Sequence, residues 1–396
     1  MSSSMVLNTF ETGLLSALVI SFIIQMIFYW VVLARPYYYM RTFNAEKLQE
    51  LGECPPVSVI INIKESTSDL KQFLKTILEQ DYPEFEVIVI TDEISDEDEK
   101  TLIRLKKKYV NLYSTHVPED TRNISRKKLA LTLGIKAAKH DTLLFTESDS
   151  RIRSKDWIYL TALHFSKKKT IVLGFSAFEN TTGLSHKFAA YDYFFSNLQM
   201  ISLALLNHPY AGNGRNMAYA KSHFIEQKGF VKYRTLQQGA DDLFINEIAT
   251  GENTAVELSA QSVAIVEMND LRNWKQLKAD RMSSQKFYKR GTVAFWRLEC
   301  YSRIGFIAAV VVSVIYKLPY AGLPDLQLPG IALVFLLVRF LSQMFVVNKT
   351  ADRLQAGKFY LTIPAFDLLQ PFVNFYFYIY RIIKGKNNYT YLYEKR

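Results

Sequence analysis

Leu143-Leu144-Phe145-Thr146-Glu147-Ser148-Asp149 is a short apolar run that ends in two carboxylates one residue apart. Apolar residues in a run of this length, without helical spacing, predict a strand buried on both faces. Open α/β sheets bind ligands just beyond the carboxyl ends of such strands, where a metal and a diphosphate could meet. Taken alone, the acidic triplet reads more readily as an ordinary strand-to-loop corner, because short acidic matches are common. Its neighbours decide between the two.

Before it, two periodicities alternate. Val57-Ser58-Val59-Ile60-Ile61 predicts a buried strand, and Leu70, Phe73, Leu74, Ile77 and Leu78 share one face of a helix preceded by the capping-type residues Ser66 and Asp69. Val87-Ile88-Val89-Ile90-Thr91 predicts a second strand. Ser95 and Asp98 suit the start of a helix running to about Tyr109, and Leu129 to Ala138 predicts another that leads into the opening strand. The alternation implies an α/β fold with right-handed crossovers and a mostly parallel, Rossmann-like sheet with helices on both faces. After it the pattern is less regular, with a strand at Thr170–Phe175, an aromatic-rich helix from about His186 to Leu206, and strands near Ala255–Glu267. That part reads as inserted or appended.

Residues 12–34 carry no charge and are long enough to cross a bilayer core of about 30 Å as a helix. Residues 1–11 contain no Lys or Arg and end in Glu11. That is unlike the basic start of a signal peptide, so a retained anchor is expected. Arg35, Arg41 and Lys47 follow the anchor and no basic residue precedes it. The positive-inside rule then puts the next domain in the cytoplasm, in a multi-pass protein of the inner (cytoplasmic) membrane. The net charge of +10 suits anionic lipid, and without a nucleic-acid-binding motif no nucleic-acid partner is expected. Cys54 and Cys300 are too few and too far apart for a zinc module or disulfide scaffold.

From Trp274 to Arg303, Lys and Arg mix with Phe287, Tyr288, Phe295, Trp296 and Tyr301, the composition of helices lying at a membrane interface. Hydrophobic segments follow at Ile304–Tyr316, at Leu328–Val347 with Arg339 inside, and at Phe359–Tyr380 with Asp367 inside. Pro364, Asp367, Gln370, Pro371 and Asn374 interrupt the last, which makes it the candidate for re-entry and for lining a lipid-access site. The expected organisation is an anchor at 1–36, a cytoplasmic domain at 55–272, interfacial helices at 273–303, two or three hydrophobic segments at 304–380, and a basic tail at 381–396.

Further charged positions join the opening pair. Asp92 ends the second strand, Lys127 and Lys128 begin the helix before the opening strand, Asp241 and Asp242 follow Gln238-Gly239-Ala240, and Arg281 lies in the interfacial stretch. Three more patterns accompany them: Asp81-Tyr82-Pro83 before Glu86-Val87-Ile88-Val89, Lys128-x-Ala130-Leu131-x-x-Gly134-Ile135, and Gly212-Asn213-Gly214-Arg215-Asn216-Met217-Ala218-Tyr219. Together they resemble the processive-type family two glycosyltransferases of the cellulose and hyaluronan synthase kind, from about Val57 to Arg303.

The resemblance implies a GT-A fold and an inverting transfer from a nucleotide diphosphate-sugar to a membrane lipid or lipid-linked glycan. It implies that Asn62, Lys64, Glu65 and Asp92 hold base and ribose, that Lys127 or Lys128 positions the nucleotide, and that Glu147, Arg215, Asn216 and Arg281 also contact substrate. It implies that Asp149 binds Mg²⁺ or Mn²⁺ on the diphosphate. It further implies that Asp241, or Asp242 one position on, is the base for the acceptor hydroxyl. The sequence departs from the pattern at Glu147, where aspartate is usual, at Lys64-Glu65-Ser66, and at Lys278-Ala279-Asp280-Arg281-Met282, which keeps Arg281 but lacks the Trp of the usual motif. Loss of that stacking platform favours single or limited transfer over polysaccharide extrusion. A nucleotidyltransferase needs a Gly-rich loop after the first strand, and residues 62–66 contain no glycine. The substituted motifs leave a second reading, a membrane scaffold that binds nucleotide sugar without turnover.

Overall fold

The structure is a computed structural model that describes residues 8–43, 54–63, 69–92, 94–118, 125–179, 182–233, 236–268, 270–317 and 327–384. The apolar runs form β1 (Val57–Ile63), β2 (Phe85–Thr91), β3 (Leu112–His116) and β4 (Thr142–Glu147), mutually parallel in the order β3-β2-β1-β4. β3 has no counterpart in the sequence reading: Leu-Tyr-Ser-Thr-His buries only Leu112 and lies at the sheet edge, so it shows no apolar run.

β5 (Ser150–Ile152), β6 (Ile171–Gly174), β7 (Ser176–Phe178), β8 (Met217–Ala220), β9 (Thr254–Glu257) and β10 (Ala264–Val266) follow. β8 runs antiparallel between β4 and β6, and β9 is parallel to β6. The less regular half of the chain therefore extends the same seven-stranded sheet, where an inserted or appended part was expected. β5, β10 and β7 form a second, three-stranded sheet.

In chain order the helices are α1 (Thr9–Ile27), which passes through a π-helical turn at Phe28–Leu33 into α2 (Arg35–Thr42), then α3 (Leu70–Leu78), α4 (Asp96–Lys108), α5 (Arg126–Ala137), α6 (Trp157–Ala162), α7 (Leu184–Leu205), α8 (Lys221–Glu226), α9 (Asp242–Ile248), α10 (Leu271–Ser284), α11 (Arg290–Lys317), α12 (Gln327–Arg353) and α13 (Ile363–Lys384). α3 and α4 pack on Val57, Val59 and Ile61, and α5 and α7 on the opposite sheet face with Ile60, Ile88 and Ile90. Asp69 caps α3 by accepting from the Gln72 N–H at 2.9 Å; Ser66, the other expected capping residue, lies outside the described residues. A Cβ at Gly134 would stand 2.5 Å from Ile90 Cδ1, so α5 lies too close to the sheet for any side chain there.

Among the described residues, three helices are long and apolar enough to cross a membrane: Thr9–Thr42, Arg290–Tyr316 and Gln327–Arg353. α13, the expected re-entrant segment, is not among them. α11 is unbroken from Arg290 to Lys317, so the expected division at residue 303 falls inside one helix. Polar residues on these helices turn inward. Arg339 is fully buried, ion-paired to Asp367 at 2.8 Å and hydrogen-bonded to Gln25 Oε1 and the Tyr29 hydroxyl, both at 3.0 Å. Arg303 donates to Asp367 at 3.0 Å and to Gln370 at 2.9 Å.

Candidate active site

β1 lies between β2 and β4, where the strand order reverses, and its parallel register aligns Asn62 with Glu147 and Ile63 with Thr91. The carboxyl ends of three strands thus bring Asn62, Asp92 and Glu147 to one crevice, the position at which open α/β sheets bind ligands. The crevice opens into a cavity of about 2410 Å³ that runs past Asp149, Asp241 and Asp242 to Arg303 on α11 and Gln370 on α13.

The first turn of α5 carries Arg126, Lys127 and Lys128. Three cations at a helix N-terminus oppose its dipole, and two of them are met by carboxylates across the crevice. Arg126 Nε donates to Asp92 Oδ1 at 2.7 Å and Oδ2 at 2.9 Å. Lys127 Nζ reaches Glu147 Oε1 at 2.7 Å and Asp241 Oδ2 at 3.6 Å. Burial pulls the Lys127 ammonium down, but Asp241 and Glu147 outweigh it and hold the group above its ordinary range.

Lys128 does not join them. Successive helix residues point about 100° apart, and its Nζ instead donates to the Tyr233 and Leu236 carbonyls at 2.5 and 2.7 Å. Burial lowers it to about 8. The expectation of a nucleotide contact at this position is corrected to a buried pin for the loop before Asp241. Lys128→Met leaves both carbonyls without that donor, and the expected result is a stability loss of about 1–3 kcal/mol in thermal unfolding, with nucleoside diphosphate affinity unchanged.

The segment after α7 also divides its two expected contacts. Asn216 is 2 % exposed, donates to the Phe175 and Ser262 carbonyls at 2.8 Å each and accepts from Trp157 Nε1 at 3.0 Å. Its polar atoms are used inside the protein, so the expected substrate contact is corrected to an internal brace. Arg215 faces the cavity. Its Nε donates to Asp149 Oδ1 at 2.9 Å, and its Nη2 lies 2.6 Å from Asp149 Oδ2 and 2.9 Å from Glu147 Oε2. Gly214 is tight between the acids: a Cβ there would stand 3.1 Å from Asp241 Oδ2 and 3.3 Å from Glu147 Oε1.

Asp241 and Asp242, at the start of α9, point to different neighbours. Asp241 Oδ2 accepts from the Gly214 N–H at 3.1 Å, beside Lys127. Burial alone would raise it, but Lys127 and the Gly214 N–H carry it below the usual carboxylate range. Asp242 Oδ2 accepts from the Tyr288 hydroxyl at 2.7 Å and Oδ1 from the Leu243 N–H at 2.7 Å. Burial and the adjacent Asp241 charge push Asp242 upward.

Arg281 lies on the same side as Asp242, with Nη1 donating to the Ser196 hydroxyl. Asn62 is buried at the far end, and its Oδ1 has no hydrogen-bond partner among the described residues. Lys64 and Glu65 lie outside the described residues.

Sequence reasoning missed two of these side chains. Arg126 was legible as the first of three consecutive basic residues at a helix start. Tyr288 sits in sequence among the membrane-interface aromatics, yet it is buried on Asp242. No local pattern links positions 46 residues apart.

The Glycosyl transferase family 21 model matches residues 13–387. The chain belongs to that family. The glycosyltransferase part of the resemblance therefore stands, with family 21 as the family that matches. No curated protein matches the chain. Among solved structures, the family 21 chain is similar to the mannosyltransferase PcManGT from Pyrobaculum calidifontis, in complex with GDP-Man and Mn²⁺, at 15 % identity and a TM-score of 0.50 over 87 % of this chain and 98 % of that one. It is also similar to S. aureus TarS 1–349 in complex with UDP-GlcNAc, at 14 % identity and a TM-score of 0.40 over 76 % of this chain and 89 % of that one. The first likeness bears out the expected α/β, GT-A-like fold.

Proposed function

We propose that this family 21 enzyme moves a sugar from a nucleotide diphosphate-sugar to a membrane lipid or lipid-linked glycan, with inversion at the anomeric carbon. One observation carries the reading: a single cavity joins the switch-point crevice to α11 and α13. At the donor end, the unpaired Asn62 Oδ1 suits an N–H of a nucleobase, since a buried acceptor without a donor is costly. At the other end, Asn374, Phe375, Tyr376 and Phe377 of α13 line the cavity, and Phe372, Phe375 and Tyr376 on the same helix are exposed. A lipid headgroup can approach there with its chains still in the bilayer. Arg35 and Arg41 at the carboxyl end of the first apolar helix support a cytoplasmic catalytic domain at the inner membrane.

Asp242 is the better base of the acidic pair. Asp241 is held ionised by Lys127 and the Gly214 N–H on the donor side, whereas Asp242 lies beside Tyr288 and Arg281 on the acceptor side. A raised carboxylate is also a stronger proton acceptor. The acceptor oxygen attacks the anomeric carbon as the bond to the phosphate oxygen breaks. The electron pair leaves on the diphosphate, and the hydroxyl proton passes to Asp242. Because the base works only when ionised and its pKa is raised, the transfer rate should start to fall on acidification at a higher pH than an ordinary carboxylate would dictate. A pH-rate profile checks this.

The Mg²⁺ or Mn²⁺ expected at Asp149 does not fit these side chains. Both Asp149 oxygens are held by Arg215, and an ion would have to displace that guanidinium. Among the described residues, no group of three or more His, Cys, Asp or Glu could hold a metal ion. The test of function is to incubate the purified protein with UDP- and GDP-sugars and a lipid extract. The expected outcome is a glycolipid formed with release of nucleoside diphosphate. Donor binding without turnover on any lipid would favour the scaffold instead.

A further inference from the structure

We propose that Arg215 and Lys127 form a built-in cationic clamp for the donor diphosphate, taking the place of a divalent ion. The proposal rests on the nucleotide-sugar reading of this site. Arg215 is 6 % exposed; its Nε and one N–H of Nη2 donate to Asp149, and Nη2 is also ion-paired with Glu147 Oε2 at 2.9 Å. The two N–H groups on Nη1 have no hydrogen-bond partner among the described residues, and the residue lines the cavity. Lys127 stands on the other side of Glu147, with about a third of its side chain exposed.

Glu147 is the hinge of the arrangement. Its Oε1 holds Lys127 at 2.7 Å and its Oε2 holds Arg215 at 2.9 Å. The departure from aspartate at this position has a physical use, because the extra methylene extends one carboxylate far enough to bridge two cations. Together Glu147, Asp149 and Asp241 carry three negative charges, and Lys127 and Arg215 offset two of them.

A divalent ion on Asp149 would therefore sit against a guanidinium already bound bidentately, the strongest geometry available to that carboxylate. Hard cations also take six or more oxygen ligands, and the oxygens nearest to hand are occupied by N–H donors. The diphosphate gains charge as its bond to the anomeric carbon breaks. Fixed N–H donors aimed into a cavity stabilise developing charge without having to reorganise. The N-terminus of α5 adds the positive end of its dipole, while Arg126 beside Lys127 is itself offset by Asp92.

The test is calorimetric titration of the detergent-purified full chain with UDP and, separately, GDP, in EDTA and in Mn²⁺. One of the two nucleotides should bind with a Kd that changes by no more than about twofold between the conditions. Arg215→Lys keeps the charge but loses the fork, and should weaken binding in EDTA by about 10- to 100-fold. Arg215→Ala frees Glu147 and Asp149 and should make binding respond to Mn²⁺, which the native chain does not. Native binding that is lost in EDTA and restored by Mn²⁺ overturns the clamp and leaves the donor reading intact. Binding in neither condition overturns both. Unchanged affinity in Arg215→Lys and Arg215→Ala removes Arg215 from the site, and the native comparison still decides the metal question if Arg215→Ala fails to fold.

Discussion

Asp242→Asn loses about 10²- to 10⁴-fold in transfer rate, the usual contribution of a general base, while its affinity for nucleoside diphosphate is unchanged. The amide is nearly the same size: its oxygen keeps the Leu243 N–H, and its NH₂ can donate to the Tyr288 hydroxyl oxygen, the two contacts that stand at 2.7 Å in the native protein. Folding and donor binding are therefore preserved, and only the capacity to take a proton is gone. Asp241→Asn makes the opposite demand. Its carboxylate lies against the Gly214 N–H and Lys127, so losing that charge releases Lys127 and changes donor affinity more than turnover. Single-turnover rates and nucleotide titration on both variants separate the roles. Transfer that survives in Asp242→Asn and vanishes in Asp241→Asn, with donor binding intact, would assign the base to Asp241.

Asp367→Ala is expected to cost about 3–5 kcal/mol in detergent unfolding, because removing one partner leaves buried charges uncompensated. Asp367 and Arg339 are both 0 % exposed, and Asp367 also receives Arg303 at 3.0 Å. Arg303 retains Glu299 at 3.6 Å, so Arg339 bears most of the loss. The double variant Arg339→Met/Asp367→Leu removes both charges and should recover much of the deficit, since apolar replacement of a whole buried pair is often nearly neutral. A midpoint for Asp367→Ala equal to the native one would show that the pair does not hold α13 to α11 and α12.

The outline of the sheet was readable because its central strands are buried on both faces and so appear as unbroken apolar runs, as in Val57-Ser58-Val59-Ile60-Ile61. β3 and β8 were not: one is a polar edge, and the other is four residues long and known only from its pairing with β4 and β6. The site shows the same division. Lys127 and Lys128 are the same letter, and Arg215 and Asn216 are adjacent polar ones, yet in each pair only one side chain lines the cavity. Which one does depends on helix phase and on which neighbouring carbonyls need a donor.

The sequence by itself determined that the chain alternates strand and helix, carries long apolar segments, and collects acidic and basic residues at the ends of its central strands. Periodicity and composition are local, and burial imposes them residue by residue. Only the tertiary structure decided that the Glu147-Ser148-Asp149 corner is closed by Arg215 and Lys127, and that Asp242 is joined to Tyr288 from the segment between α10 and α11. Those contacts join residues between 20 and 68 positions apart. Their partners are chosen by where the crossovers return the chain, and no spacing rule along the sequence encodes that.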